Sequence, residues 1–158
     1  MRILSIDPGF ERIGIAILDK EKSSKETLVH SECFHTNKDD AFPDRLVLIR
    51  KKIKLIIETY KPSMLAIETL FMAKNKKTGM KVSEARGVII SEAKGEGLSI
   101  HEYSPLQIKI AVTGYGRADK KQVMSMIPRI LSLKEVSASD DELDAIAVGL
   151  TAIAHEHL

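Results

Sequence analysis

The sequence predicts an α/β fold in which a mixed central sheet is flanked by helices. Three observations predict it. Short apolar runs of strand length open the chain, longer segments with helical spacing follow, and the two kinds then alternate. No repeat, low-complexity tract or long linker divides the 158 residues, so we read one domain over 1–158 with the order β-β-β-α-β-α-β-α-α-α.

The elements follow in order. Residues 2–7 (RILSID) form a buried strand that ends in an acid, and Pro8-Gly9 turns the chain. A second apolar run, Ile13 to Leu18, leads into the charged hairpin segment Asp19 to Lys25, and Leu28 to Phe34 gives a third strand with partial alternation. This succession predicts an antiparallel meander. Leu46, Ile49, Ile53, Ile56, Ile57 and Tyr60 recur at helical spacing over Arg45 to Tyr60, with Pro43 near the start and Lys61-Pro62 at the end. Met64 to Ile67 is a short buried strand that stops at Glu68. A lysine-rich loop with Asn75 and Gly79 precedes a helix from Val82 to Lys94. There Ala85 and Gly87 beside Val88, Ile89 and Ile90 suit a close symmetric contact between two copies. Leu98 to Tyr103 is a further strand, and Ser104-Pro105 opens a helix with a cap and a first-turn proline. Gly114-Tyr115-Gly116 breaks that helix. The next one, Lys120 to Leu133, contains Pro128, whose missing N–H predicts a kink or break between Met124 and Pro128. Ser139 or Asp140 caps a last apolar helix from Leu143 to Ala154.

Apolar residues make up 44% and charged residues 29%, which excludes a disordered or fibrous chain. No apolar run has the length of a membrane span, and MRILSIDPGF lacks the features of a signal peptide. The single Cys33 cannot form an internal disulfide, and beside Phe34 in a strand it reads as a buried, inert thiol. These points lead us to expect a cytoplasmic protein. The net charge of +2 does not announce nucleic acid, but its distribution is uneven. Lys74, Lys76, Lys77 and Lys81 form one cluster, and Lys109, Arg117, Lys120 and Lys121 another. Such clusters are ordinary solvated surface unless a catalytic site lies beside them. The five histidines show no zinc-ligand spacing and read as structural or solvated.

Acids that end buried strands are of more interest. Asp7 and Glu68 each stand where an apolar run stops, so each projects at a sheet end. Asp140, Asp141 and Asp144 open the last helix, where Asp144 shares a face with either of the other two. Acids in a first turn also cap free N–H groups and complement the helix dipole. The alternative is that these acids converge on one site. Phosphodiester hydrolysis needs a nucleophile at neutral pH and neutralisation of the leaving oxygen, and paired divalent cations held by carboxylates serve both ends.

Five blocks in register resemble the RuvC Holliday-junction resolvases, which have an RNase H-like fold. They are Ile6-Asp7-Pro8-Gly9 with Gly14; Ala66 to Asn75 (AIETLFMAKN) with Glu84-Ala85-Arg86-Gly87-Val88; Glu102-Tyr103-Ser104-Pro105 with Gln107-Ile108-Lys109 and Val112-Thr113-Gly114; Asp119 to Val123; and Asp141-x-x-Asp144-Ala145-Ile146-Ala147. The resemblance runs through nearly the whole chain. It implies four metal-binding acids, Asp7, Glu68, Asp141 and Asp144, with catalytic Lys109 and Lys120. It implies that Phe71 contacts a junction base and that Lys109 and Lys120 serve catalysis or phosphate contact; beside such a site Lys74, Lys76, Lys77, Lys81, Arg86, Arg117 and Lys121 are expected to contact DNA as well. It further implies a Mg²⁺-dependent homodimer, with two ions per site and Mn²⁺ as a substitute. Such a dimer would nick a four-way junction in pairs and work with the RuvA-RuvB branch-migration complex. Thr69, Ile13, Pro128 and the extra Asp140 depart from the family pattern and leave all four acids in place. An alternative is a YqgF-type nuclease of the same superfamily acting on RNA, whose opening motif also resembles Asp7-Pro8-Gly9 and Arg12-Ile13-Gly14. Two other readings are weaker: an actin-like ATP-binding domain would need a second lobe, and a non-catalytic junction binder would not need all four acids.

Overall fold

The computed structural model describes residues 1–21, 25–70, 76–133 and 137–156, with backbone alone for 76 and 77. Strands β1 (Arg2–Asp7), β2 (Arg12–Asp19) and β3 (Thr27–His35) form the expected meander. Then come α1 (Phe42–Tyr60), β4 (Met64–Glu68), α2 (Lys76–Gly95), β5 (Ser99–Tyr103), α3 (Pro105–Thr113), α4 (Lys120–Ile130) and α5 (Asp140–Glu156). The sheet order is β3-β2-β1-β4-β5, with β1 and β4 parallel and β4 and β5 parallel. It is therefore the mixed sheet that the pattern predicts.

Strand alternation divides the core into two layers. Leu4, Ile6, Leu65 and Ile67 point to one face, where they pack under Ile49, Ile53 and Ile56 of α1 and Ala85, Ile89 and Ala93 of α2. Ile3, Met64 and Ala66 point to the other, against α3, α4 and α5. The same alternation sends Asp7 and Glu68 toward α5. Ile6 pairs with Ile67 in the parallel register, so the two acids leave the carboxyl ends of adjacent strands side by side. In open α/β sheets that edge is where ligands bind.

Several local expectations change. Helix α1 begins at Phe42, with Pro43 in its first turn, where a missing N–H costs nothing. The segment read as a lysine-rich loop is helical from Lys76, so Gly79 and Lys81 lie in α2; lysine and methionine are good helix formers and outweigh one glycine. Helix α4 is not broken before Pro128 but runs through it to Ile130. The lost bond falls within the last turns, and buried Val123 and Ile127 before Pro128 and Leu131 after it hold the helix down. Ala85 and Ile89, expected in a contact between copies, are buried inside this chain; Gly87 stays exposed and Val88 and Ile90 are half-buried. Among the described residues no helix is long and apolar enough to cross a membrane.

Candidate active site

Helix α5 brings the second pair of acids to the first. Its N-terminus is closed by a capping box, in which Ser139 Oγ accepts the Glu142 N–H at 3.4 Å and Glu142 Oε1 accepts the Ser139 N–H at 3.1 Å. Ser31 of β3 donates to the other Glu142 oxygen at 2.7 Å and ties the cap to the sheet. Gly14 of β2 permits the approach: a Cβ there would stand 1.9 Å from the Asp141 carbonyl oxygen. Any side chain at this position would push away the helix end that carries Asp141 and Asp144.

Burial and the neighbouring carboxylates act together on Asp7 and Glu68. The Asp7 carboxyl is pushed up to about 7, first by burial and then by the carboxylates of Asp144, Glu68 and Asp141, with Lys120 opposing. Burial and Asp144 also raise Glu68, again against Lys120. Lys120 Nζ donates to Asp144 Oδ2 at 2.8 Å and lies 3.7 Å from Asp140 Oδ2. Burial works against its charge, but the bond to Asp144 and the fields of Asp144, Asp140 and Asp7 prevail and hold it protonated.

Arg12 pairs with Asp141. Cys33 Sγ lies 3.5 Å from the same carboxylate oxygen. Cys33 is thus half-buried at the rim of the site and not sealed in the core, because β3 is an edge strand and Cys33 lies opposite Gly14 in the register. Burial is the main force raising its thiol pKa, so it is protonated at neutral pH as an inert thiol would be. Neither Arg12 nor Cys33 had a role assigned from sequence, although Arg12 is two residues before Gly14 in the strand that receives α5. Among the described residues no three His, Cys, Asp or Glu side chains gather closely enough to hold an ion. Asp141 is engaged by Arg12, and Asp144 by Lys120.

A cleft of about 240 Å³ opens beside the acids, lined by Glu68, Lys109, Lys120 and Asp144 over Ile108 and Val123. Lys109 and Lys120 therefore share one cleft with two of the acids. Arg117 and Lys121 are exposed on the loop and helix that follow. Lys81 points elsewhere, over the rings of Phe10 and Phe42 at 5.4 and 5.3 Å. Phe71 and Lys74 lie outside the described residues, as do the side chains of Lys76 and Lys77.

Arg86 differs most from its expected place. Its Nε donates to the Glu68 carbonyl oxygen at 3.0 Å, a terminal nitrogen pairs with Glu102, and its side chain is only 17% exposed. This is a clamp on the backbone of an acid, not a free phosphate contact. Arg86→Ala is expected to cost about 1.5–3 kcal/mol of stability, the range for hydrogen bonds to a charged group. It should slow cleavage while leaving DNA affinity near the original value. Thermal melts and binding titrations of the variant check this; a large loss of affinity in a variant of unchanged stability would restore the contact role.

The family model described as Crossover junction endodeoxyribonuclease RuvC matches residues 3–155. This chain belongs to the RuvC family. RuvC of Finegoldia magna is 44% identical over 153 residues, covering 97% of this chain and 93% of the relative. RuvC of Petrotoga mobilis is 44% identical over 155 residues, covering 98% and 93%. The solved Thermus thermophilus RuvC structure superposes with a TM-score of 0.90 at 28% identity, covering 99% of this chain and 96% of that one. The structure of T. thermophilus RuvC in complex with Holliday junction substrate also matches with a TM-score of 0.90, at 26% identity. A yeast mitochondrial Holliday junction resolvase, at 11% identity and a TM-score of 0.75, shares the fold alone. The fold is accordingly the RNase H-like one of the RuvC resolvases. As a RuvC family member the chain is a crossover junction endodeoxyribonuclease, a hydrolase of DNA recombination, and the RNA-acting YqgF-type alternative is set aside.

Proposed function

We propose that this chain, as one nuclease domain over 1–158, resolves four-way DNA junctions in the cytoplasm by paired symmetric nicks. In this reading it acts as a homodimer, with Asp7, Glu68, Asp141 and Asp144 holding two Mg²⁺ ions. The observation that carries the proposal is the convergence of acids from β1, β4 and α5, where burial first and the neighbouring carboxylates next lift Asp7 to about 7. A buried group of like charges is costly alone and suits a divalent cation bound through hard oxygen ligands. Mn²⁺, which takes similar ligands, is expected to substitute. When bound, the ions supply Lewis acidity and an activated water for in-line attack on the phosphodiester.

The chain's own residues do the rest. Lys120 offsets carboxylate charge in the resting site and stands ready for the negative charge that develops on the phosphate oxygens. Lys109, across the cleft, gives a second cation for the scissile phosphate. Arg12 holds Asp141 until the substrate's phosphates and the ions compete for the pair. Arg117, Lys121 and the lysines at 74, 76, 77 and 81 position the backbone without reading sequence. Gly87 and Val88 on the open side of α2 would meet a second copy, so that two sites related by a two-fold axis cut opposing strands. Partnership with the RuvA-RuvB branch-migration complex is carried over from the family resemblance.

Phe71 is proposed to stack on an unpaired base at the open centre of the junction. Phe71→Ala should then slow cleavage about 5- to 150-fold, the equivalent of one base–aromatic stack, and shift the melting temperature little. The loss should shrink on junctions mismatched at the centre, where unstacking costs less. A sharp fall in melting temperature with normal cleavage by the folded fraction would make Phe71 a core residue.

The experiment for the function as a whole is a comparison of substrates. Labelled immobile four-way DNA, linear duplex and structured RNA are each incubated with the protein and Mg²⁺. Cutting of the four-way DNA alone is expected, and preferential cutting of the RNA would overturn the reading.

A further inference from the structure

Three large apolar side chains stand out into solvent beside the catalytic cleft: Leu106 at 56% exposure, Ile110 at 50% and Tyr115 at 56%. Leu106 and Ile110 are four residues apart on one face of α3. Both lie against Gly116, where a Cβ would be 2.8 Å from Leu106 Cδ1 and 3.4 Å from Ile110 Cγ1. Tyr115 immediately precedes Gly116 in the chain, so the three residues lie together at this face of α3. The group borders the active site, because Lys109, three residues after Leu106 and so its neighbour on the surface of α3, lines the cleft that holds Glu68 and Asp144.

Tyr115 is held in place for this exposure. Its N–H donates to Thr113 Oγ1 at 3.1 Å, and Thr113 Oγ1 donates to the Lys109 carbonyl at 2.7 Å. Its own carbonyl accepts the Ala118 N–H at 3.1 Å. Gly114, at φ 72°, makes the left-handed turn that starts the loop. Its backbone is thus fixed on both sides while the ring stays open, which lowers the entropy cost of using it as a contact. Charge decides the occupant. The segment from Pro105 to Arg117 carries Lys109 and Arg117 and contains no Asp or Glu. A polyanion with flat apolar faces fits both features.

We propose that Leu106, Ile110 and Tyr115 form a shelf for the DNA strand beside the catalytic cleft, with an unstacked nucleobase lying on the Tyr115 ring while Lys109 and Arg117 meet the flanking phosphates. This deepens the junction-cutting reading and rests on it. Aromatic rings beside basic side chains bind single-stranded segments with little sequence preference, because every base has a π-face. The shelf would hold the strand in line with the acids and favour junctions, whose strands part, over closed duplex.

The test uses the full chain and four-way junctions carrying 2-aminopurine at successive positions on either side of the nick, without divalent metal so that nothing is cut. The original protein should change the fluorescence at one or two of these positions. Tyr115→Ala should abolish that change and weaken junction binding about 5- to 150-fold, with Tyr115→Trp restoring both. Leu106→Gln, at an exposed site, tests the shelf if Tyr115→Ala proves unstable, and should weaken binding in the same direction. Unchanged fluorescence and affinity in the folded variants would overturn the proposal. So would normal DNA binding with a change of oligomeric state by sedimentation, which would make the shelf a contact between copies. If the original protein cuts no junction in Mg²⁺, the function fails, independently of the shelf.

Discussion

Asp7→Asn is expected to abolish cleavage, by about a thousandfold or more, and to leave junction affinity nearly unchanged. The substitution removes a carboxylate charge at the end of β1, the one proposed to bind metal, and leaves every basic residue in place. It has a second expected effect, on stability. The Asp7 carboxyl lies at about 7 in the folded protein against an ordinary value of 3.8. Its raised pKa means that the folded state binds more protons than the unfolded state between those values, so stability falls as pH rises through that window. Below the ordinary value the penalty is absent, and above about pH 7 it is complete, with a ceiling of about 4 kcal/mol at 1.36 kcal/mol per pH unit. Without metal, Asp7→Asn should melt higher than the original protein at pH 8, and the gap should close toward pH 4. Thermal melts across pH measure this directly. A variant that melts lower at pH 8 would mean that Asp7 is a structural partner, not a strained member of an acidic site.

Lys120→Ala should show the next largest effect. Lys120 is the cation that opposes the rise of both Asp7 and Glu68, and it bonds Asp144 directly. Its loss leaves the acids without that cation and, in the proposed reading, removes a positive charge from the scissile phosphate. Single-turnover cleavage is expected to fall about a hundredfold or more, a typical cost for one electrostatic stabiliser. Folded stability should change little, since the side chain is 53% exposed and a surface pair contributes little. The contrast with Arg86 is instructive: there the partly buried clamp should affect stability as well as rate. Cleavage by Lys120→Ala at the original rate would show that the Asp144 pair is surface decoration.

The fold was legible in sequence wherever periodicity was strong. The three opening strands, α1, β4 and the cap at Ser104 emerge where apolar spacing and punctuation agree. Asp7 and Glu68 were legible because an acid that ends a buried strand has few places to go. Their adjacency was not, since it depends on the pairing of Ile6 with Ile67, which no local pattern encodes. Asp141 and Asp144 read equally well as ordinary first-turn acids; only the close seat of α5 on Gly14 separates the two readings. Arg12, Cys33 and the Arg86 clamp were hidden for the same reason, because each acts across elements far apart in the chain. Cys33 misled through its neighbour Phe34: a strand with an apolar residue beside the thiol suggests burial, but an edge strand leaves one side open. Of the kink or break expected at Pro128, the break does not occur, because the packing of Val123 and Ile127 outweighs one lost bond.

Paired cutting of a four-way junction by a metal site at Asp7, Glu68, Asp141 and Asp144 can be read directly. The most direct measurement is nick mapping on an immobile four-way junction labelled in turn on each strand, with and without Mg²⁺, for the original protein and Asp7→Asn. Two nicks are expected at symmetric positions on opposing strands, only with Mg²⁺ and only for the original protein. Cuts that persist without metal, persist in Asp7→Asn, or fall on one strand alone would contradict this reading.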